Sequence, residues 1–185
     1  MKTDRELLRQ ADPEAFGTLF ERHGRAVYNH CFRRTAEWAT AEDLTSVVFL
    51  EAWRKRNEVR LHGDSLLPWL YGVATNVLRN RTRSLRRYRS VLARMPVEQE
   101  ADFADDAGER IDDERQVRRV LAAFRLLPKR DQDVLALCVW SGLTYEEAAV
   151  ALDLPTGTVR SRLSRARRRL RDDCELSPQK EALAE

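Results

Sequence analysis

The chain has 185 residues, 43% hydrophobic and 34% charged, with 7 Gly and 6 Pro, a balance that fits one or two helix-rich globular domains and excludes collagen-like, mucin-like and all-β designs. Its net charge of +3, from 33 basic and 30 acidic residues, hides a block-wise sorting of sign that implies strong local fields. The three cysteines, Cys31, Cys138 and Cys174, lack CxxC spacing, and no uncharged run approaches ~20 residues, so the expectation is a reduced, cytoplasmic protein without disulfide framework, zinc knuckle or membrane span.

The first helix signal is Asp12-Pro13-Glu14: Asp can cap, Pro is tolerated in the first turn, and an acid suits the positive end of the dipole. Phe16, Leu19, Phe20, Val27, Cys31 and Phe32 follow at three- and four-residue steps, which predicts one core-facing helix. Thr40-Ala41-Glu42-Asp43 reads as a capping-box-like entry to a second helix, with Leu44, Val47, Val48, Leu50, Glu51 and Trp53 ahead of the basic Arg54-Lys55-Arg56. Gly63-Asp64-Ser65 breaks the pattern and caps a third helix. Its buried stripe is Leu66, Leu70, Val73, Ala74, Val77 and Leu78, and Pro68 is acceptable because it falls in the first turn.

From Arg79 to Arg94 arginines recur without one acid, and residues 98 to 114 are then strongly acidic and poor in apolar side chains. Such a stretch buries too little surface to offset chain entropy, so residues 96–112 are predicted to be a linker between two small all-α domains, 1–95 and 113–175, with 176–185 as a tail. Val117, Val120, Leu121, Phe124 and Leu127 resume helical spacing, and a new start at Pro128 leads through Val134, Leu135, Leu137, Cys138 and Trp140 to a left-handed stop at Gly142. Thr144-Tyr145-Glu146-Glu147 is a capping box for a short helix. The turn Asp153-Leu154-Pro155 follows, then a basic helix from about Thr156 to Leu170, the order of a helix-turn-helix.

LPKRDQDVLALCVWSGLTYEEAAVALDLPTGTVRSRLSRARRRLR resembles region 4 of the extracytoplasmic-function sigma factors, while AEDLTSVVFLEAW followed by GDSLLPWLYGVATNVLRN resembles their region 2. The resemblance covers almost the whole chain, and both motifs in this order around an acidic linker are highly specific. It departs from the family in the loop between Ser65 and Trp69, one residue shorter than usual, and at His62, where Arg is common.

The resemblance implies a subunit that binds core RNA polymerase, through the clamp helices of the largest subunit and the flap of the second-largest, and recognises promoter DNA as duplex and as single strand. It places Arg160, Ser161, Ser164 and Arg165 on the bases of the −35 element. A helix N-terminus suits phosphate binding by Thr156 and Thr158, and Arg168 and Arg169 join them on the backbone. For the −10 element it implies a loop with His62, Asp64 and Ser65 that closes over a flipped base. Asn76 would hydrogen-bond that base, Tyr71 would be a surface aromatic for stacking, and Arg79, Asn80, Arg83 and Arg87 would track phosphates. Asp43, Leu44, Phe49, Glu51, Trp53 and Arg54 would dock on polymerase, although periodicity alone assigns Leu44 and Trp53 to the core and Asp43 to a cap. Family members are often held by an anti-sigma protein, a further partner to expect.

His23, His30 and Cys31 could meet on one helix face, yet no second ligand cluster accompanies them, so Cys31 reads as core and no metal or other cofactor is expected. The absence of a Gly-rich phosphate loop, nucleophile elbow or HExxH motif argues against an enzyme. The competing reading is a stand-alone helix-turn-helix regulator, for which the arginines of 79–94 would be redundant.

Overall fold

The computed structural model describes residues 2–10, 12–59, 61, 63–92 and 122–181, and among them there is helix but no strand. The elements are α1 (Asp4–Gln10), α2 (Pro13–Thr35), α3 (Trp38–Arg54), a 3-10 turn (Arg56–Glu58) and α4 (Leu67–Leu92). After a helical turn at 122–126 come α5 (Lys129–Leu135), continued by a π-helical stretch (Ala136–Trp140), α6 (Tyr145–Leu152) and α7 (Thr156–Glu181). The anticipated linker 96–112 lies outside the described residues. Among those described, no helix is long and apolar enough to cross a membrane.

Local chemistry explains most boundaries. Asp12 caps α2 by accepting from the N–H groups of Glu14 and Ala15, both at 3.1 Å, and left-handed Ala36 ends it. The Thr144 capping box opens α6 with both of its bonds, Glu147 N–H to Thr144 Oγ1 at 3.2 Å and Thr144 N–H to Glu147 Oε2 at 2.8 Å. Gly142 takes φ +70 after the π-helical stretch, as the sequence predicts. Two boundaries differ from expectation. Helix α3 starts at Trp38, two residues before Thr40, whose hydroxyl donates to the Glu37 carboxylate at 2.6 Å; Asp43 is therefore an exposed residue inside the helix and not a cap. Helix α7 runs on to Glu181, through residues expected to be tail.

α1 carries no strong sequence signal, yet Asp4 on it organises the first half. Its carboxylate is 3% exposed and accepts from Arg22, from His23 Nε2 at 2.6 Å and from the Leu66 N–H at 2.7 Å, so it tethers α2 and the entrance of α4. Burial by itself would raise the Asp4 carboxyl, but the Leu66 N–H, His23 and Arg22 together hold it below the ordinary aspartate range. Leu19, Val27, Cys31, Val48, Leu66, Leu70 and Ala74 fill the core between α2, α3 and α4 with no exposed area. In the second half Val134, Leu137, Ala148, Val159, Leu163 and Ala166 join α5, α6 and α7.

The two halves touch. Tyr71 on α4 was expected at the surface but is 4% exposed and packs with the second core, because α4 buries two stripes. Leu70, Ala74 and Leu78 face α2 and α3, while the neighbouring stripe through Tyr71 and Arg79 meets the other half. α4 and α6 approach so closely at Gly72 that a Cβ there would lie 2.5 Å from the backbone oxygen of Ala151. Alanine is the better helix former by about 1 kcal/mol, but overpacking against backbone costs about 1–3 kcal/mol, and at 2.5 Å the clash decides the sign. Gly72→Ala should therefore part the halves and lower the urea midpoint of the full chain, measured by tryptophan fluorescence; an unchanged or raised midpoint would contradict this packing.

Candidate nucleic-acid interface

α7 separates its faces cleanly. Val159, Leu163 and Ala166 are buried, and on the outer side Arg160, Ser161, Ser164, Arg165 and Arg168 are exposed, with Thr156 and Thr158 half-buried at the N-terminal end. The Arg160 guanidinium lies 5.7 Å from the Tyr145 ring, which props it at the turn, and the Ser161 hydroxyl donates to the Thr158 carbonyl at 3.1 Å. Arg169, expected on the DNA backbone, pairs with Asp131 at 3.2 Å while its side chain stays 49% exposed. Arg169 and Asp131 join α7 to α5, while Arg167 and Arg168 are exposed on the same turn.

On the first half, Asn76 and Asn80 are exposed on α4 and line a groove of about 460 Å³ shared with Asp43, Val47 and Glu51 of α3. Arg83 and Arg87 continue the exposed side of α4. Asp64 and Ser65 are exposed in the loop before it, where Ser65 Oγ accepts the Leu67 N–H at 3.2 Å; His62 lies outside the described residues. Arg79 departs from the expected phosphate track: its Nε and Nη2 both reach Asp133 Oδ2 of the second half at 2.8 Å.

The expected polymerase-docking set divides by burial. Leu44 and Phe49 are each 5% exposed and belong to the core, Phe49 lying edge-on to Phe16 and Phe20, so neither can present a contact surface. Trp53 is half-buried against Phe16, with the Arg56 guanidinium 4.0 Å above its ring. Glu51 and Arg54 pair at 2.8 Å at the surface. The outer stripe of α3 is instead Asp43, Val47, Leu50 and Arg54, with Val47 42% and Leu50 49% exposed. The sequence hid this because both side chains are apolar; their offset from Leu44 and Val48 was the available signal.

His23 and His30 do not converge with Cys31 on a ligand site: His23 bonds Asp4, and His30 turns toward the second half with Nδ1 3.1 Å from Ser141 Oγ. Burial pushes the Cys31 thiol up to about 11.

Comparison with known proteins follows the same division. The family model for sigma-70 region 2 matches residues 19–88, and that for sigma-70 region 4 matches residues 118–170. The chain is 36% identical over 133 residues to the RNA polymerase sigma factor HrpL of Pseudomonas syringae pv. syringae, covering 70% of this chain and 71% of that protein. It is 32% identical over 165 residues to the ECF RNA polymerase sigma factor SigE of Mycolicibacterium smegmatis, covering 88% and 63%. Among solved structures, the fold is similar to CnrH in complex with the cytosolic domain of CnrY, with TM-score 0.69, 23% identity and 95% and 99% coverage. It is also similar to the Bartonella quintana sigma factor RpoE in complex with the anti-sigma factor NepR, with TM-score 0.66, 23% identity and 88% and 98% coverage.

The junction between the halves contains a titratable group. His30 is 3% exposed, its ring centroid is 5.1 Å from that of Tyr71, and burial first, then the charges of Arg34 and Arg33, push its pKa down to about 3. A base whose folded pKa lies below its unfolded value of 6.5 binds its proton only when unfolded across the interval between them, so stability is lost as pH falls from about 6.5 toward 3. Asp4 adds its own loss only near and below its ordinary value of 3.8. Urea unfolding between pH 7 and pH 4.5 should show a slope approaching 1.4 kcal/mol per pH unit at its steepest, and His30→Asn should flatten it. Equal slopes in both proteins would place His30 in solvent.

Proposed function

The chain belongs to the extracytoplasmic-function group of RNA polymerase sigma factors, and from that premise we propose that it binds core polymerase through α3, opens the −10 element on α4 and reads the −35 element with α7. The observation that carries this reading is the pairing of two exposed nucleic-acid faces on separate halves, the arginines of α7 and the Asn76–Asn80 side of α4. On α7, Arg160, Ser161, Ser164 and Arg165 suit base edges, and Thr156, Thr158 and Arg168 suit phosphates. On the first half, Asn76 offers donor and acceptor to an extruded base, with Asn80, Arg83 and Arg87 along the strand and Asp64 and Ser65 in the adjoining loop. The stripe Asp43, Val47, Leu50 and Arg54 takes over the polymerase contact from the buried Leu44 and Phe49. The work then takes place where polymerase and promoter are, in the cytoplasm.

Size requires the halves to separate for this task. A compact chain of this length has a radius of gyration of about 16 Å and is about 40 Å across, whereas elements centred near −35 and −10 lie roughly 85 Å apart along B-DNA. The chain from residue 93 to 121 reaches at most roughly 100 Å, enough to bridge them once Tyr71 and Arg79 leave the second half. The closed arrangement is then the resting form. The solved relatives named above are held by CnrY and by the anti-sigma factor NepR, and a partner of that kind acting here would favour the closed form.

Asn76→Ala tests the opening step. If Asn76 bonds an extruded base, the variant should bind the duplex −35 element as wild type does but form fewer open complexes with core polymerase, because the lost bond exists only after unstacking. Permanganate footprinting on duplex and premelted promoters measures this, with partial rescue expected on the premelted one. Equal opening on the duplex would remove Asn76 from the site, and opening without core polymerase would favour a stand-alone regulator.

A further inference from the structure

Where α4 runs along the second half, the two halves enclose a cleft of about 860 Å³ that lies apart from the outer face of α7 and shares Arg83 with the strand track proposed on α4. One wall carries Arg34, Arg83 and Arg86 from α2 and α4, the other Lys129, Arg130 and Arg162 from α5 and α7. The acids lining the cleft are Asp133 and Glu37, and both are engaged, Asp133 with Arg34 and Arg79, Glu37 with the Thr40 hydroxyl at 2.6 Å and with Arg81 at 3.9 Å. Arg83, Arg86, Lys129, Arg130 and Arg162 have no acidic partner among the described residues.

One cation on the wall is incompletely used. The Arg34 side chain is 8% exposed; Nη2 donates to Asp133 at 2.8 Å, but Nη1 is buried with no hydrogen-bond partner. A buried, charged donor left unpaired is costly, so Asp133 meets the positive charge of this wall only in part. The Lys129 ammonium is held below the ordinary lysine range by partial desolvation and then by Arg34 and Arg86, which shows how closely the positive charges crowd. The volume is that of a small-molecule site and too small for a duplex. Planar guanidiniums bond phosphate oxygens in pairs, so several of them facing each other across a gap suit a short chain of phosphates better than one carboxylate.

We propose that this cleft binds a small oligophosphate, inorganic or carried by a nucleoside, and that the ligand holds the halves closed because each half supplies one wall. Binding to the closed form alone shifts the equilibrium toward it by mass action. Such a ligand would oppose promoter opening without touching the DNA-reading face of α7.

The test is calorimetric titration of the full chain with inorganic tripolyphosphate at about 0.15 M salt, where diffuse surface charge is largely screened. One site per chain is expected, weakened about tenfold by Arg86→Ala and by Lys129→Ala separately, one from each wall. Arg165→Ala with Arg168→Ala, on the outer face of α7, should leave it unchanged. Asp133→Asn discriminates further: it removes a negative charge from the cleft, so a plain basic patch would bind more tightly, whereas a site needing both walls binds more weakly as the halves part. Circular dichroism checks that each variant keeps its helices. Tighter binding by a nucleoside triphosphate assigns the nucleoside-borne ligand, and equal or weaker binding assigns the inorganic one. No binding to the full chain, as would follow if its own acids at 98–114 already neutralised the cleft, would overturn the proposal. So would tighter binding by Asp133→Asn, equal loss in the α7 variant, or a short single-stranded oligonucleotide binding these residues at least as tightly.

Discussion

The arrangement of the two halves depends on one carboxylate. Asp133 is 1% exposed, belongs to the second half, and takes its hydrogen bonds from Arg34 and Arg79 of the first, each at 2.8 Å. Burying Asp133 and Arg34 and partly covering Arg79 forfeits hydration, and the mutual attraction recovers most of that only when the geometry is met, so the network adds little net stability. It adds specificity instead. A placement that buries Asp133 or Arg34 without the other leaves a buried charge unpaired, at a cost of about 3–5 kcal/mol for a broken pair. Tyr71 against the second core and the Gly72–Ala151 approach reinforce the same register.

α4 is where fold and function compete. Its Leu70, Ala74 and Leu78 face the first core, Tyr71 and Arg79 belong to the junction, and Asn76, Asn80, Arg83 and Arg87 remain open. Three faces of one helix thus divide between core, latch and the surface proposed for nucleic acid. On the proposed function, side chains committed to the latch would be withheld from a DNA strand until the halves part, so closure would act by occupying groups as well as by shortening the molecule.

Much of this was legible in the sequence because the relevant physics is local. Asp12, the Thr144 capping box, Gly142 and the spacing of α2, α4 and α7 each act within a few residues, and periodicity reads them. What was missed acts over distance. Asp133 lies 54 positions from Arg79 and 99 from Arg34, and Asp4 bonds an N–H 62 positions away; no window of sequence contains such pairs. Tyr71 illustrates the limit: one helical period identifies an apolar stripe, but a helix buried on two sides has two, and the second reads as surface. For Leu44, periodicity pointed to the core and the structure agrees; it was the resemblance that placed Leu44 and Phe49 on a partner surface, where Val47 and Leu50 stand instead.

The account rests on a closed free chain that opens to span a promoter. Distance distributions between spin labels placed on exposed positions of α3 and α7 test it most directly, first in the free chain and then with core polymerase on promoter DNA. A narrow, short distance in the free chain that lengthens by several tens of ångströms in the complex is the predicted result. A broad distribution in the free chain, or a short distance retained in the complex, would contradict it.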